Sequence, residues 1–265
     1  MFETTRGERY TWQFAALIVA FLPMTVAALV VDTRVVNDIN VWIKPLKFEG
    51  SLALHLLTLA ILIRLMPFSK RNARWITIVL AVICVACFSE ILLITFQSMR
   101  GVASHFNTQE LFDDTIYALM GIGALLLTLP VIAIGVRFAT LPVSAELTPG
   151  LKTGATLGLI LGAIATLLVA GYMSMQPTGH WVGGVATDIG GLPVTGWSRN
   201  GGDLRVPHFI ATHLMQIVPF AGWIADQRCP PDSVWPRRIA WLTASIGTAA
   251  VVWTFIQARA GQPLL

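Results

Sequence analysis

Three ionisable residues fall deep inside long apolar stretches of the sequence, and they are the first candidates for chemistry. They are His55, Glu90 and His213. An ionisable side chain within a membrane-crossing helix is costly and usually marks a proton path or a ligand site. With a rise of about 1.5 Å per residue, all three lie roughly 9–13 Å below the same end of their helices. If those helices are neighbours, the three side chains could form one site.

These residue types suit several ligands. Two histidines on different helices could ligate a haem axially, and with Glu90 they could bind a divalent metal ion. Hydrogen bonds from histidine and glutamate would also suit a quinone headgroup. His208 and His213 are five residues apart, or ~140° around a helix, so they do not form an i,i+4 ligand pair. The sequence predicts a cofactor site at His55, Glu90 and His213 and leaves the cofactor open.

A second group of polar residues gathers near the starts of three apolar stretches. Helix N-termini carry free N–H groups and a positive dipole end, and nearby cations turn them into anion-binding surfaces. We expect a small anionic molecule or a lipid headgroup to bind there. The candidate ligand-binding residues are Glu90, Arg100, His105, Asn107, Asp203, Arg205, His208, Lys44 and Lys47. The alternative is a self-satisfied network of ion pairs, since Glu49, Asp113, Asp114 and Asp203 lie close by in sequence.

The elements that must position these residues are transmembrane helices. The chain has 265 residues, of which 55% are hydrophobic and 12% charged, whereas soluble domains carry roughly 25% charged residues. About 20 apolar residues cross a bilayer as a helix. Seven stretches qualify: residues 10–31, 46–66, 75–97, 111–137, 152–172, 206–226 and 236–258. The sequence therefore predicts an all-α integral membrane protein, a bundle of seven transmembrane helices in a single domain over residues 1–265.

The longest connection, residues 173–205, holds eight glycines. A connection of this length is often a folded lid over a site. We expect it to be an extracytoplasmic loop that serves as a lid, and the alternative is a flexible crossover. Asn107 followed by Glu110 also resembles a capping box at the start of the fourth stretch.

Basic residues predict the orientation. Eleven Lys and Arg residues fall on the side of the N-terminus and seven on the other side. Because the more basic side of a membrane protein faces the cytoplasm, we expect a cytoplasmic N-terminus and an extracytoplasmic C-terminus in a bacterial inner membrane. The basic pI of 9.3 then reflects cytoplasmic anchoring and no nucleic-acid partner. The expected partner is the lipid bilayer.

Gly154, Gly158 and Gly162 repeat every four residues in the fifth stretch. Small residues at this spacing let two helices approach closely. They predict close packing within the chain, with a homo-oligomer contact as the alternative.

Three functions stay open, and whether the protein is an enzyme is undecided. The first is an outward-facing polar pocket that binds haem, a metal, a quinone headgroup or a small anion. The second is a proton-coupled transporter of a small solute. The third is a metal-dependent intramembrane hydrolase.

Two resemblances bear on these alternatives. The segments WIKPLKF, RGVASHFN and GDLRVPHF resemble those of a family of bacterial seven-helix inner-membrane proteins without an assigned activity, which implies the fold but no reaction. Ser51 and His55, four residues apart, resemble part of a motif in the alkaline-ceramidase and adiponectin-receptor superfamily, which would imply metal-dependent hydrolysis. The chain departs from that superfamily where an aspartate and an H-x-x-x-H pair are expected, with Glu90 and the His208–His213 spacing instead.

Overall fold

The computed structural model describes residues 3–265. In this part of the chain, seven helices have 22 to 30 residues, and α3 has only four. The helices are α1 (Arg6–Val31), α2 (Ile43–Arg64), α3 (Phe68–Arg71), α4 (Arg74–Arg100), α5 (Leu111–Thr140), α6 (Pro149–Ser174), α7 (Arg205–Arg228) and α8 (Trp235–Arg259). Four two-residue strands make two antiparallel ladders, β1 (Val35–Val36) with β2 (Ile39–Asn40) and β3 (Trp181–Val182) with β4 (Gly202–Asp203).

The fold class is an all-α multi-pass membrane protein, as the composition predicts. Each long helix begins and ends within a few residues of a predicted apolar stretch. By length and composition, six helices of the described chain can cross a membrane: α1, α2, α4, α5, α6 and α8. The remaining long helix, α7, has 24 residues, but its sequence is interrupted by Arg205, His208, His213 and Gln216.

The chain forms two compact units. Of the described residues, the first comprises 3–127 with 187–189, and the second comprises 128–186 with 190–265. The boundary falls within α5, so that helix contributes to both. The single transmembrane domain expected from the sequence stays a prediction.

One end of the first unit is held by a buried ionic cluster, which we call the Glu8 end. Thr5 and Glu8 form a capping box at the start of α1, in which Glu8 N–H donates to Thr5 Oγ1 at 3.3 Å and Thr5 N–H donates to Glu8 Oε2 at 2.8 Å. Arg64 of α2 lies 3.1 Å from Glu8 Oε1, and Arg71 of α3 lies 3.5 Å from Glu8 Oε2. The start of α1 is therefore pinned to the α2–α3 connection.

The opposite end of the first unit gathers around Asp32. Arg34 donates to both oxygens of Asp32 and to the carbonyl of Met99 at 3.0 Å, at the end of α4. Trp42 Nε1 also donates to Asp32 at 2.9 Å, and Ser98 Oγ donates to the Val41 carbonyl at 2.9 Å. These contacts bring the end of α1, the start of α2 and the end of α4 together. Within this unit, successive long helices therefore alternate in direction, as membrane crossings must.

In the second unit, α6 and α7 run antiparallel with their backbones in close contact. A Cβ added at Gly154 would lie 2.5 Å from the Val218 carbonyl, and one at Gly158 would lie 2.6 Å from the Leu214 carbonyl. A Cβ at Gly162 would lie 2.9 Å from Met215 Cγ. The glycine spacing thus serves packing within the chain. A homo-oligomer through these glycines would need a face that α7 already covers.

Asp226 caps α6 from the end of α7, a role that the sequence does not reveal. Its carboxylate accepts hydrogen bonds from Gly150 N–H at 2.8 Å, Leu151 N–H at 2.7 Å and Thr148 Oγ1 at 2.5 Å. The first N–H groups of a helix have no partner within the helix and carry its positive dipole end. Asp226 satisfies them and so ties the two helices together.

Candidate functional site

The cationic residues at the Asp32 end of the first unit are largely engaged by neighbouring groups. Arg100 Nη1 forms a salt bridge with Asp113 Oδ1 and donates to Gln97 Oε1 at 2.6 Å, while Gln97 Nε2 donates to Asp113 Oδ1 at 2.9 Å. The guanidinium of Arg100 also lies over the Phe112 ring, 4.9 Å from its centroid. At Asp32, the hydrogen bond from Arg34 holds the carboxyl pKa well below its usual range. Arg100 and Arg34 therefore form ion pairs within the chain, which is the alternative to an anion-binding surface.

The two candidate lysines lie in the first turns of α2. Lys44 is half-buried, whereas Lys47 is exposed. Lys44 is close enough to Glu90 for an electrostatic attraction between them. Of the two lysines, Lys44 is therefore the one that can influence the buried acid.

His105 belongs to an aromatic cluster in the α4–α5 connection. Its ring centroid lies 5.6 Å from that of Phe48 and 5.9 Å from that of Tyr117, and Ser104 Oγ lies 3.1 Å from its Nδ1. Asn107 donates to the Ala103 carbonyl at 3.2 Å. Because α5 begins only at Leu111, Asn107 is not its cap, and the predicted capping box is wrong. The α4–α5 connection is instead stabilised by hydrogen bonds from its own side chains.

An apolar layer lies between these polar groups and Glu90. Ile94 of α4 packs with Ile116 and Met120 of α5, and Phe48 of α2 covers them. The three core residues are at most 5% exposed. This layer shields the interior of the unit from the Arg100 cluster.

Glu90 lies beneath this layer and is only 4% exposed. Its carboxyl group occupies the space beside Gly123 of α5, because a Cβ added at Gly123 would overlap Glu90 Oε1 and approach Cδ to 3.3 Å. Unlike Oε2 of Glu49, neither Glu90 oxygen is both fully buried and without a partner in the described residues. Packing against the glycine backbone and the attraction of Lys44 both act on this acid.

His55 lies close to the same face of α5. It is 6% exposed, and the Leu127 backbone lies beside its ring. Its Nε2 atom is buried without a hydrogen-bond partner in the described chain. Gly123 and Leu127 are one helical turn apart, so α5 brings Glu90 and His55 to similar depths. The depth expected for these two residues from the sequence agrees with this arrangement.

Glu49 is a second enclosed acid that sequence reasoning placed among the outer polar groups. Its side chain is fully buried, and its Oε1 accepts a hydrogen bond from Thr25 Oγ1 of α1 at 2.5 Å. Its Oε2 is buried without a partner in the described residues. Thr25 could have revealed this contact from the sequence. It is a lone hydroxyl residue in the apolar part of α1, and it lies as far from the end of α1 as Glu49 lies from the start of α2.

Asp203 and Arg205 organise the glycine-rich loop of the second unit. Asp203 accepts from Ser198 N–H at 2.9 Å and from the Arg205 guanidinium at 2.7 Å, and Arg205 also donates to the Gly196 carbonyl at 2.8 Å. Burial opposes ionisation of Asp203, but the hydrogen bonds and charge of Arg205 outweigh it and lower the carboxyl pKa. The loop is thus a folded structure, and its role as a lid stays a prediction.

The two histidines of α7 are held differently. His213 Nδ1 lies 2.8 Å from the Phe209 carbonyl of its own helix, and its ring packs at a tilt against Phe209 with centroids 4.0 Å apart. His208 is half-buried, and its Nδ1 is buried without a hydrogen-bond partner in the described chain. His213 belongs to the second unit, whereas His55 and Glu90 belong to the first.

The metal site expected at His55, Glu90 and His213 stays a prediction. Among residues 3–265, no three His, Cys, Asp or Glu side chains are grouped so that they could hold a metal ion. Ser51, the other residue of the hydrolase-like pair, is exposed whereas His55 is buried.

Comparison of the chain with protein-family models, curated proteins and solved structures finds no match. The resemblance to a family of bacterial inner-membrane proteins therefore stays a prediction, and the candidate site is interpreted from its own geometry.

Proposed function

We propose that this multi-pass membrane protein is a proton-coupled transporter of a small solute, in which Glu90 binds and releases the proton. The observation that carries the proposal is the packing of the buried Glu90 side chain against Gly123. An ionised carboxylate inside a membrane-crossing helix costs several kcal/mol. The enclosed state therefore suits the neutral acid.

The same packing provides a way to couple protonation to movement. When Glu90 loses its proton, the new charge favours contact with water or with Lys44, whereas the neutral acid can stay packed against the α5 backbone. Proton release would therefore favour separation of α4 from α5, and proton binding would favour their contact. A carrier needs two such states, each favoured by a different protonation of one group.

The pocket alternative has less support. Arg100 and Arg205 are engaged by Asp113 and Asp203, so an incoming anion would have to compete with these carboxylates. A quinone headgroup at Glu90 would need the space that Gly123 leaves and that the carboxyl fills. Because no three metal-ligating side chains are grouped in the described chain, the metal-binding and hydrolase alternatives also lack a built site.

We also propose that α7 crosses the membrane, giving seven crossings with the N-terminus in the cytoplasm. Support comes from the antiparallel packing of α7 along α6 between Gly150 and Gly162, because a helix in continuous contact with a crossing helix shares its depth. Cys229 tests the topology, since Cys84 and Cys87 are buried. A membrane-impermeant maleimide should label Cys229 in inside-out vesicles and not in right-side-out vesicles, with Cys229→Ser as the control. The reverse labelling would contradict this orientation.

Charge displacement tests the transport proposal without a known solute. Vesicles containing the protein are adsorbed on a solid-supported membrane and exposed to a step in pH. We expect a transient current from the wild type and none from Glu90→Gln, which keeps the neutral shape of the acid. Glu146→Gln, at an exposed loop position, is the matched control and should resemble the wild type. Equal currents from the wild type and Glu90→Gln would contradict the proposal.

A further inference from the structure

We infer that Glu49 and Thr25 form a second proton-binding site, at the contact between α1 and α2. Both side chains are fully buried, and the hydroxyl lies 2.5 Å from Glu49 Oε1. This hydrogen bond satisfies one of the two carboxyl oxygens of Glu49. The ligand of the site is a proton carried on the Glu49 carboxyl.

The second carboxyl oxygen distinguishes this site from a structural hydrogen bond. Oε2 of Glu49 is buried and has no partner among the described residues. A carboxylate with one donor and one bare oxygen is unstable in a helix interface, because the bare oxygen has lost its water. A protonated carboxyl group lowers that cost, since it carries no net charge.

No neighbouring group in the described chain donates a hydrogen bond to Oε2 of Glu49. Between Glu8 and Asp32, α1 offers Arg9 and Tyr10 as its only other titratable side chains, both near the Glu8 end. The other ionisable groups of the adjoining helices are Lys44, Lys47, His55 and Arg64 on α2, and Arg74, Cys84, Cys87, Glu90 and Arg100 on α4. None of them hydrogen-bonds to Oε2 of Glu49, which has no partner among the described residues.

The site also lies at a defined depth. Thr25 is six residues before the end of α1, and Glu49 is six residues after the start of α2. Each is therefore ~9 Å from the Asp32 end of its helix, whereas Glu90 is ten residues from the end of α4, or ~15 Å. Two buried acids thus lie at different depths of the same unit. A consequence, which rests on the proposed function, is that two protons could be exchanged per transport cycle.

Infrared spectroscopy of the full chain in lipid vesicles tests the site directly. A protonated carboxyl group has its own carbonyl stretching band, which shifts in deuterated water. We expect Glu49→Gln to lose one such band at neutral pH. Thr25→Ala should shift this band to higher frequency and Thr25→Ser should leave it in place, because only serine keeps the hydroxyl donor. Thr11→Ala is the matched control, since Thr11 is equally buried but bonds only to carbonyls of its own helix, and it should leave the band unchanged.

Two results would overturn the inference. The first is a Glu49→Gln spectrum that superimposes on the wild type, which would mean that the acid is ionised. The second is loss of the band on adding Na⁺ at constant pH, which would make the site one for a metal cation. The Thr25 variants keep the test decisive if Glu49→Gln fails to fold, because an unmoved band in Thr25→Ala contradicts the hydrogen bond to a protonated acid. A Glu49 band that persists in Glu90→Gln would separate this site from the proposed role of Glu90.

Discussion

The carboxyl group of Glu90 fills the space that a side chain at Gly123 would need. Glycine at residue 123 lets α5 approach α4 until the acid rests on its backbone. The pairing explains how this side chain comes to be only 4% exposed. It also makes the contact sensitive to both shape and charge.

Gly123→Ala should destabilise the first unit, because the new methyl group overlaps the Glu90 carboxyl. Overpacking of this kind costs about 1–3 kcal/mol. The free energy of unfolding in detergent micelles measures the effect. Gly121→Ala is the matched control, because a Cβ there has no atom within 4 Å, and it should be neutral or stabilising by up to about 1 kcal/mol. Adding Glu90→Ala should restore stability to Gly123→Ala; a double variant as unstable as the single one would argue against a direct clash.

Gly154→Ala should separate α6 from α7, because the added Cβ would meet the backbone of Val218 and Pro219. Because backbone atoms cannot move aside as a side chain can, we expect the free energy of unfolding to fall by at least about 1–3 kcal/mol. Gly171→Ala lies on the same helix with nothing within 4 Å of the added Cβ. Unfolding midpoints of the two variants provide the comparison. Equal midpoints would show that the glycine spacing does not serve this packing.

Asp226→Asn should weaken the start of α6. The variant keeps an acceptor oxygen but loses the charge that faces three donors and the positive dipole end. Loss of such a cap costs about 0.5–2 kcal/mol. Asp232→Asn, at an exposed loop position, is the control. Hydrogen exchange should accelerate at residues 150 and 151 in Asp226→Asn alone, and unchanged protection there would refute the capping role.

The glycine-rich loop should loosen at acidic pH. The pKa of Asp203 is lower in the folded protein than its ordinary value, so its contribution to stability is complete above about pH 4. That contribution disappears as the pH falls from there through the lowered folded value. Exchange of the Ser198 and Arg205 amides measures the change. In Asp203→Asn, the protection of these amides relative to their intrinsic exchange rate should be low at all pH values. If their protection in the wild type did not change with pH, this account would be contradicted.

The sequence predicted the helices well and their lateral contacts poorly. Apolar length determines a crossing, so each long helix lies where an apolar stretch predicts it. Lateral contacts depend on which helix faces which, and apolar length does not determine this. Glu49 was grouped with the outer polar residues because it lies close to Lys47 in the sequence. Asp226 was overlooked because its three donors lie more than 70 residues away.

The most direct test of the account is the protonation state of Glu90 in the membrane. Infrared spectra of the wild type and Glu90→Gln, recorded in lipid vesicles across a range of pH, isolate the carbonyl band of this one acid. We expect a protonated-carboxyl band that is lost in Glu90→Gln and that disappears from the wild type as the pH is raised. Spectra that superimpose at every pH would show that Glu90 exchanges no proton, and the proposed function would then be wrong.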